Sequence, residues 1–275
     1  MNPLRFGPQV ATGTLLTLLV LTCPAGCTHQ REEPSLFVAA APPAANPATL
    51  SNSSAAPLEL LDELPAQSPL TVEEFSLLQP MHARYLVLDN GRVEEELVRN
   101  RRKANQFGAT VADMELTFPE GKERRIQYWG VDSQGNVIMP AVIERDDNAL
   151  SLFDPPLVVT VPTLQPGVTQ TSTANIRVMN LRHPDRERES GTATRSVTYI
   201  GDQRIRTPMG EFVAKRIEVR FEADLRLATA TERTILYVVP DIGIVAEHTE
   251  ERVRALGLFN RSSDRQLVMS ELIEP

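Results

Sequence analysis

Histidines, the side chains most often used in catalysis and metal binding, are few in this chain and widely spaced. The four histidines are His29, His82, His183 and His248. No pair of them has the spacing of a zinc site, and the sequence His-Glu-x-x-His does not occur. His248 stands with Glu247 and Glu250 on a predicted strand, so two of these three side chains could share a face. His183 belongs to a charged segment, Arg182 to Glu189, that is predicted to be a solvated loop.

Other chemical motifs are equally scarce. No serine stands in a Gly-x-Ser-x-Gly sequence, and there is no glycine-rich phosphate loop. Asp146-Asp147-Asn148 could contact a cation, but a calcium loop supplies more oxygen ligands, so a polar turn is favoured. Carboxylates are numerous, but sequence alone cannot select two at the separation that glycosidases use. The sequence therefore predicts no catalytic residue, no metal, no cofactor and no enzymatic activity.

The first 27 residues have the pattern of an export signal. Arg5 supplies a positive charge, and the stretch from Val10 to Leu21 is apolar. A membrane-spanning helix needs roughly 20 residues, so this shorter stretch is predicted to be a signal segment rather than a permanent anchor. Pro24-Ala25-Gly26-Cys27 follows and resembles the lipobox of bacterial lipoprotein signals. In that family the cysteine is acylated and becomes the new N-terminus, which implies that Cys27 carries a lipid.

The lipobox resemblance has one departure, because Pro24 stands where the family usually has leucine. The alternative is an ordinary signal peptide that leaves Cys27 as a free thiol. Cys23 is a rival lipidation site, but Leu21 and Thr22 before it match the lipobox less well. Cys23 and Cys27 are the only two cysteines, so the rest of the chain has no disulfide and no thiolate metal site. Thr28, rather than Asp, follows Cys27, and the sorting rule of the family then implies the outer membrane. We expect an exported, lipid-anchored protein at the periplasmic face of the outer membrane or at the cell surface.

Residues 28–69 are predicted to be a disordered tether, and the folded domain is expected over residues 70–275. The tether is rich in Pro, Ala and Ser and has no regular apolar period. Such a composition cannot bury enough surface to offset the entropy lost on ordering. A coil of this length spans roughly 35 Å. Leu58 to Leu64 could form a short helical turn against the domain, and the sequence leaves this open.

The charge balance argues against nucleic acid as a partner. The chain has 28 Lys and Arg against 36 Asp and Glu, a net charge of −8 at pH 7. Phosphate binding depends on clustered basic side chains. The clearest basic run is Arg99, Arg101, Arg102 and Lys103, which follows Glu94, Glu95 and Glu96. We interpret this pair of runs as a solvated hairpin region rather than a binding patch.

From about residue 70 the apolar pattern has a period of two, which is typical of strands. In Ile217–Leu227 the apolar and charged residues alternate strictly, as in an antiparallel strand with one wet face. Asp89-Asn90-Gly91 predicts a hairpin turn, and Val72–Leu78 with Thr71 as N-cap is the best helix candidate. Leu267–Ile273 is either a final strand or a short tail helix. The predicted fold class is mainly β, as an antiparallel meander or a curved half-barrel sheet with one or two short helices.

Three motifs resemble those of uncharacterised bacterial envelope β-domains. They are Asp154-Pro155-Pro156-Leu157, the turn Arg206-Thr207-Pro208-Met209-Gly210-Glu211-Phe212, and Asp241-Ile242-Gly243-Ile244-Val245 after Tyr237. The resemblance covers about residues 150–250 and implies a half-barrel like that of the LolA and LolB lipoprotein carriers. It departs from the family where Val168-Thr169 and Tyr237 replace the usual tryptophans. It implies a shape but no activity.

The turn residues of these motifs have structural rather than chemical interpretations. Pro208 fixes φ and Gly210 can adopt a positive φ, so together they predict a tight corner before the long strand. Phe212 is expected to fill the core. Gly243 is expected to let its strand bend or to admit a close neighbour.

The leading functional hypothesis is a membrane-anchored, non-catalytic β domain that binds or scaffolds an envelope protein. The first alternative is a carrier of an apolar ligand, a lipid or a lipoprotein acyl chain, in a half-barrel cavity. That alternative needs large apolar residues beyond the core, and the candidates are Phe107, Met114, Phe118, Trp129, Met139 and Phe153. Ordinary core positions are the favoured interpretation of these six residues. The second alternative, a hydrolase of envelope polymers, has no motif to support it.

Overall fold

The computed structural model describes residues 57–89, 91–255 and 259–273. Within them nearly the whole chain is β-strand, and the only helix has four residues. The mainly-β fold class is confirmed. Cys27, the signal segment and residues 28–56 of the predicted tether lie outside the described residues.

The elements of the described chain follow one another with short connections. They are β1 (Glu59–Leu64), β2 (Leu70–Thr71), α1 (Val72–Phe75), β3 (Met81–Asp89), β4 (Arg92–Lys103), β5 (Val111–Thr117), β6 (Glu123–Val131), β7 (Val137–Glu144), β8 (Ala149–Thr160), β9 (Thr163–Leu164), β10 (Thr169–Asn180), β11 (His183–Thr207), β12 (Gly210–Leu225), β13 (Ala228–Val239), β14 (Gly243–Ala255) and β15 (Phe259–Ile273). The segment Leu267–Ile273 is thus part of a final strand. Of the segment Arg182 to Glu189, predicted to be a loop, His183 to Glu189 instead begins β11, because it pairs with the end of β10.

The long strands form one antiparallel sheet that closes on itself. Its hydrogen-bonded order is β11-β10-β8-β7-β6-β5-β4-β3-β15-β14-β13-β12, and β12 pairs back with β11. The closing pair extends from Gly191↔Leu225 to Thr207↔Gly210. The sequence predicted a meander or a half-barrel, and the structure carries the same antiparallel sheet round to a closed barrel. Closure satisfies backbone groups that an open edge would leave unpaired.

Alternation along β12 shows how the sequence builds this wall. Ile217, Val219 and Phe221 are buried. Arg220 and Glu222, at the alternate positions of the same strand, are exposed. The alternation predicted for Ile217–Leu227 is therefore confirmed up to Leu225, where the strand ends.

The segment before residue 70 contains a strand. Leu58 to Leu64, for which the sequence left a helical turn open, contains strand β1, which pairs with β11 beyond the end of β10. Its carboxylates meet arginines of the barrel, as in the ion pair of Asp62 with Arg204 at 3.4 Å. A short isolated helical turn is unstable in water, whereas β1 is stabilised by hydrogen bonds to β11 and by ion pairs with its arginines.

The helix predicted over Val72–Leu78 is shorter than expected but begins where the sequence places it. The Thr71 hydroxyl accepts a hydrogen bond from Glu74 N, and the Glu74 carboxylate accepts one from Thr71 N, forming a capping box. The helix ends at Ser76, which adopts a left-handed conformation. The segment from Leu70 to Leu78, here called the plug, buries Leu70, Phe75 and Leu77 in the main apolar cluster.

The turn residues singled out in the sequence occupy two hairpins. Pro208 lies in the two-residue connection between Thr207 and Gly210, and Gly210 has a φ of 131°. Phe212 is partly buried at the edge of a second apolar cluster. Gly243 has a φ of 97° at the start of β14, and a Cβ there would lie 3.6 Å from Ser76 Cβ. The plug therefore passes close to the turn between β13 and β14.

No helix among the described residues is long and apolar enough to cross a membrane.

Candidate binding site

A cavity of about 90 Å³ lies inside the barrel. Its lining comes from strands β4 to β8 and β11 to β14, that is, from most of the wall, and from the plug. The apolar part of the lining comprises Phe75, Leu77, Trp129, Met139, Val159, Val219, Phe221, Leu236 and Ile244. The polar part comprises Arg99, Asp113, Arg125, Gln127, Arg195, Glu232, Thr234 and Glu247. About half of the lining is thus apolar, and the polar half includes three arginines and three carboxylates.

Arg99 is the centre of a buried ion-pair network. Its side chain is 5% exposed, and its Nη2 lies 3.0 Å from Glu115 Oε1 and 3.2 Å from Glu247 Oε2. The Arg99 guanidinium also lies 5.5 Å from the ring centre of Tyr85. Register explains the contact with Glu115, because Arg99 on β4 is directly opposite it on β5. Desolvation alone would lower the pKa of the Arg99 guanidinium, but the carboxylates of Glu247 and Glu115 outweigh it and hold the pKa well above its ordinary value.

The network continues around the barrel wall through three further pairs. Arg101 lies 3.6 Å from Asp113, Arg125 lies 3.0 Å from Glu144, and Arg265 lies 3.7 Å from Glu115. Each of these six side chains is almost fully buried. Charges removed from water are stable only when paired, so each member depends on the others.

The state of Glu115 shows the strength of this pairing. Burial alone would raise the pKa of the Glu115 carboxyl, but the guanidinium groups of Arg265, Arg99 and Arg125 outweigh it and lower the pKa to about 2. Glu115 is therefore ionised at every physiological pH.

Arg195 and Glu232 face the same cavity but stand outside the network. The Arg195 Nη1 donates to two backbone carbonyls of β8, those of Val158 at 3.1 Å and Val159 at 2.5 Å. Among the described residues the Glu232 carboxylate acts on Arg195 as an opposite charge, but it forms no direct ion pair with it. Burial lowers the pKa of its guanidinium to about 10. Arg195 is thus a cation held by neutral acceptors.

The Glu232 carboxyl is in the opposite situation. It accepts one hydrogen bond, from the Thr234 hydroxyl at 3.0 Å, and its Oε2 has no hydrogen-bond partner among the described residues. Burial, reinforced by the negative charges of Glu251 and Glu247 and opposed by Arg125, raises the Glu232 pKa to about 7. Glu232 therefore titrates in the physiological range.

The single tryptophan also lines this cavity. Trp129 is 4% exposed, and its indole Nε1 donates to no group among the described residues. The Arg101 guanidinium lies 5.1 Å from its ring centre. A buried indole N–H normally finds an acceptor, so an unpartnered one beside a cavity marks a place for a ligand or a water molecule.

The plug is tied to the barrel by polar contacts at the edge of the cavity. The Arg101 Nη1 donates to Ser76 O at 2.6 Å, and the Lys215 Nζ lies 3.7 Å from Glu74 Oε1. Backbone contacts add to these, since Val72 N donates to Pro162 O at 3.2 Å. The cavity is therefore closed on this side by a segment that is both capped and anchored.

The interpretation of the basic run as a solvated hairpin is wrong for two of its members. Arg99 and Arg101 are 4% and 3% exposed, whereas Arg102 and Lys103 are exposed. Alternation on β4 turns Arg99 and Arg101 to the inner face, where the carboxylates of β5 stand opposite them. The sequence contained a signal for this burial, because Asp113 and Glu115 alternate along their strand as Arg99 and Arg101 do. Only the pairing of β4 with β5, however, brings the carboxylates opposite the arginines.

The other candidates of the sequence are scattered. His183 is exposed, and the His248 Nε2 contacts Asp264 at 2.9 Å on the outer face of β14, opposite to buried Glu247. Asp146 lies in a turn and pairs with Lys122 at 3.0 Å. Of the six large apolar residues, Trp129 and Met139 line the cavity. Phe153 is buried in the same main cluster as these two, and Met114 is buried in another cluster. Phe107 and Phe118 are exposed. No group of three or more potential metal ligands is found among the described residues.

Comparisons with known proteins assign no family. No protein-family model and no curated protein matches the sequence. Among solved structures, an exported protein with a YmcC-like fold from Bacteroides fragilis has a TM-score of 0.41 and 13% identity, over 77% of this chain and 99% of that chain. A lipoprotein from Parabacteroides distasonis has a TM-score of 0.38 and 10% identity, over 74% and 100%. The lipoprotein YmcC from Escherichia coli has a TM-score of 0.37 and 9% identity, over 74% and 91%. All three TM-scores are below 0.5, so these likenesses assign neither a fold family nor an activity to this chain.

Proposed function

We propose that this protein is an exported, lipid-anchored, non-catalytic binding protein whose barrel holds a small molecule in the central cavity. The observation that carries the proposal is the set of buried polar groups that face the cavity without partners, above all the Trp129 indole N–H. A concave space that combines an apolar surface with convergent polar groups and a titrating carboxyl is typical of a ligand site. The lipid anchor rests on the resemblance of the segment ending at Cys27 to a lipobox.

The size of the cavity limits what it can hold. Pockets for drug-sized ligands measure about 300–1,000 Å³, against about 90 Å³ here. One water molecule takes up about 30 Å³ in the liquid. A lipid or a lipoprotein acyl chain therefore does not fit while the plug is in place, and the proposed ligand is small. The proposal therefore takes the internal site of the carrier hypothesis with a ligand smaller than an acyl chain.

Native mass spectrometry of the full-length protein tests the proposal. We expect the chain extracted from membranes in mild detergent to carry a non-covalent adduct of low mass. Leu77→Phe, which fills the cavity, should abolish the adduct, because Leu77 is 2% exposed and lines the cavity. Leu60→Phe is the matched control, since Leu60 is 53% exposed on β1. A bare polypeptide mass for the unmodified protein would contradict the proposal.

A second candidate function, binding of an envelope protein, is favoured by strand β1. This strand pairs with β11 alone among the described strands, so its other edge is unpaired. An exposed edge of this kind can accept a strand from another protein. A bare mass in the experiment above, together with crosslinks from β1 to a second protein in intact envelopes, would favour this function.

Anchoring through Cys27 can be tested separately. We expect Cys27→Ser to move the protein from the membrane fraction to the soluble fraction, because a serine hydroxyl does not accept the lipid. Cys23→Ser is the control and should remain in the membrane fraction. Immunoblots of fractionated cells give the measurement. Retention of Cys27→Ser in the membrane would show that something other than this lipid holds the protein there.

A further inference from the structure

We infer that the cavity binds a small carboxylate anion with a short apolar tail, and that Arg195 and the Trp129 indole N–H are its donors. The inference rests on the proposed function and specifies the ligand class of the same site. It follows from the charges and donors that the protein itself leaves unmatched.

The charge pattern of the cavity favours an anion. The other lining arginines, Arg99 and Arg125, each have a carboxylate within 3.0 Å. Arg195 has only backbone carbonyls as acceptors. The Arg195 guanidinium is partly buried, and Glu232 acts on it as an opposite charge without a direct ion pair. An incoming carboxylate can form that direct pair through charge-assisted hydrogen bonds, most readily when Glu232 is protonated and neutral.

The Trp129 indole adds a second donor, and apolar side chains lie beside it. Its N–H is buried and unpartnered, and it can donate to the same anion. Beside these donors stand Met139, Val159 and Leu236, which offer an apolar surface to the rest of the ligand. This combination suits a short aliphatic carboxylate better than inorganic phosphate, which has no apolar part. The volume of about 90 Å³ restricts the tail to a few carbons.

Glu232 decides when the anion can enter. The charged groups that face it are Glu251 and Glu247 on β14, Arg125 on β6 and Arg195 on β11. Ionised Glu232 repels an anion next to Arg195. Protonated Glu232 is neutral, and its unpartnered oxygen can then donate a hydrogen bond. Since its pKa is about 7, binding and protonation are linked across neutral pH.

Tryptophan fluorescence gives a direct measurement, because Trp129 is the only tryptophan in the chain. The experiment titrates the full-length protein with sodium butyrate at pH 6.0 and follows the emission. We expect a saturable change for the unmodified protein and at least tenfold weaker binding for Arg195→Met. Arg204→Met is the matched control on the same strand and should bind normally, because the Arg204 side chain is 47% exposed.

The pH dependence separates this inference from a merely structural role of Glu232. Butyrate stays ionised from pH 6.0 to 8.5, so any change in affinity comes from the protein. We expect affinity to fall about tenfold or more over this range, and Glu232→Gln to bind equally well at both ends. Circular dichroism verifies folding of each variant. If Arg195→Met does not fold, Trp129→Phe takes its place, with binding followed by the NMR signal of ¹³C-labelled butyrate.

The possible outcomes decide between clear alternatives. Absence of a butyrate response at pH 6.0 would overturn the inference, and so would binding that is stronger at pH 8.5. Binding of tetramethylammonium in place of butyrate would overturn it too and make Glu232, Asp113 and Glu247 a cation site. In each of these cases a low-mass adduct in native mass spectrometry would still support the proposed function, so the two failures are distinguishable.

Discussion

Arg99→Met is expected to lower the free energy of unfolding by about 3–5 kcal/mol. The substitution keeps most of the side-chain volume but removes the cation between Glu115 and Glu247, which lie 3.0 and 3.2 Å from it. Both carboxylates then remain buried without that counter-ion. Urea unfolding of the full-length protein at pH 7, followed by circular dichroism, gives the free energy from a linear extrapolation.

Arg233→Met is the matched control for this prediction. Arg233 also contacts two carboxylates, Glu218 at 2.6 Å and Glu250 at 3.7 Å, but its side chain is 46% exposed. Solvent screens such pairs, so we expect a change of about 0–1 kcal/mol. Adding Glu115→Gln and Glu247→Gln to Arg99→Met should restore part of the stability. If it restores none, the cost comes from packing and the uncompensated-charge account is wrong.

The cost of Arg99→Met should also shrink in acid. The Glu115 pKa in the folded protein is about 2, below its ordinary value of 4.5. A lowered pKa contributes stability that is present above the unfolded value and is lost as the pH falls towards the folded one. Without Arg99 this contribution is smaller, so the two proteins differ less between pH 4 and pH 2 than at pH 7. A difference independent of pH would contradict the electrostatic explanation.

The strand pattern of this barrel could be predicted from sequence because alternation is a local property. In β12, Val219 and Phe221 alternate with charged residues, and the polarity of each side chain indicates the face of the sheet on which it lies. The capping box of Thr71 and Glu74 is equally local. Closure of the sheet is not local, since it depends on the pairing of β12 with β11 from Gly191 to Thr207, while β11 also pairs with β10. The period-two pattern is the same in an open and a closed sheet.

The site could not be predicted because its charges look like surface charges. Arg99 and Arg101 belong to a basic run that, on composition, is most often solvated. Their burial follows from the carboxylates Asp113 and Glu115 on the next strand, which neutralise them at one particular register. Inner faces that carry paired charges break the simple rule of apolar inside and polar outside. Such exceptions are expected where a protein binds something.

Apolar composition was an equally weak guide to the cavity. Trp129 and Met139 line it, but Phe107 and Phe118, which were equivalent candidates in sequence, are 42% and 40% exposed in turns. What separates the two pairs is the element in which each residue lies, because Trp129 and Met139 are on inner-facing strand positions and Phe107 and Phe118 are in turns. Neither residue type nor hydrophobicity encodes that position before the strand pairing is known.

Phe75→Ala is expected to have an effect as large as that of Arg99→Met, about 3–5 kcal/mol of unfolding free energy. Phe75 is 1% exposed, belongs to the main apolar cluster and lines the cavity from the plug. Removing its ring loses buried apolar area and leaves a larger void. The plug cannot collapse into this void, because the capping box at Thr71 and the hydrogen bond from Arg101 to Ser76 hold its backbone.

The same substitution should change the cavity in a way that a simple loss of stability does not. Acrylamide should quench Trp129 emission more strongly in Phe75→Ala under conditions where the protein is fully folded, because the enlarged cavity admits the quencher. Phe107→Ala is the control, since Phe107 is 42% exposed and outside the cavity lining, and it should leave both the free energy and the quenching nearly unchanged. Unchanged quenching in Phe75→Ala, together with a small loss of stability, would mean that the plug repacks freely. The cavity size would then be set by a movable segment, and the size limit placed on the ligand would no longer hold.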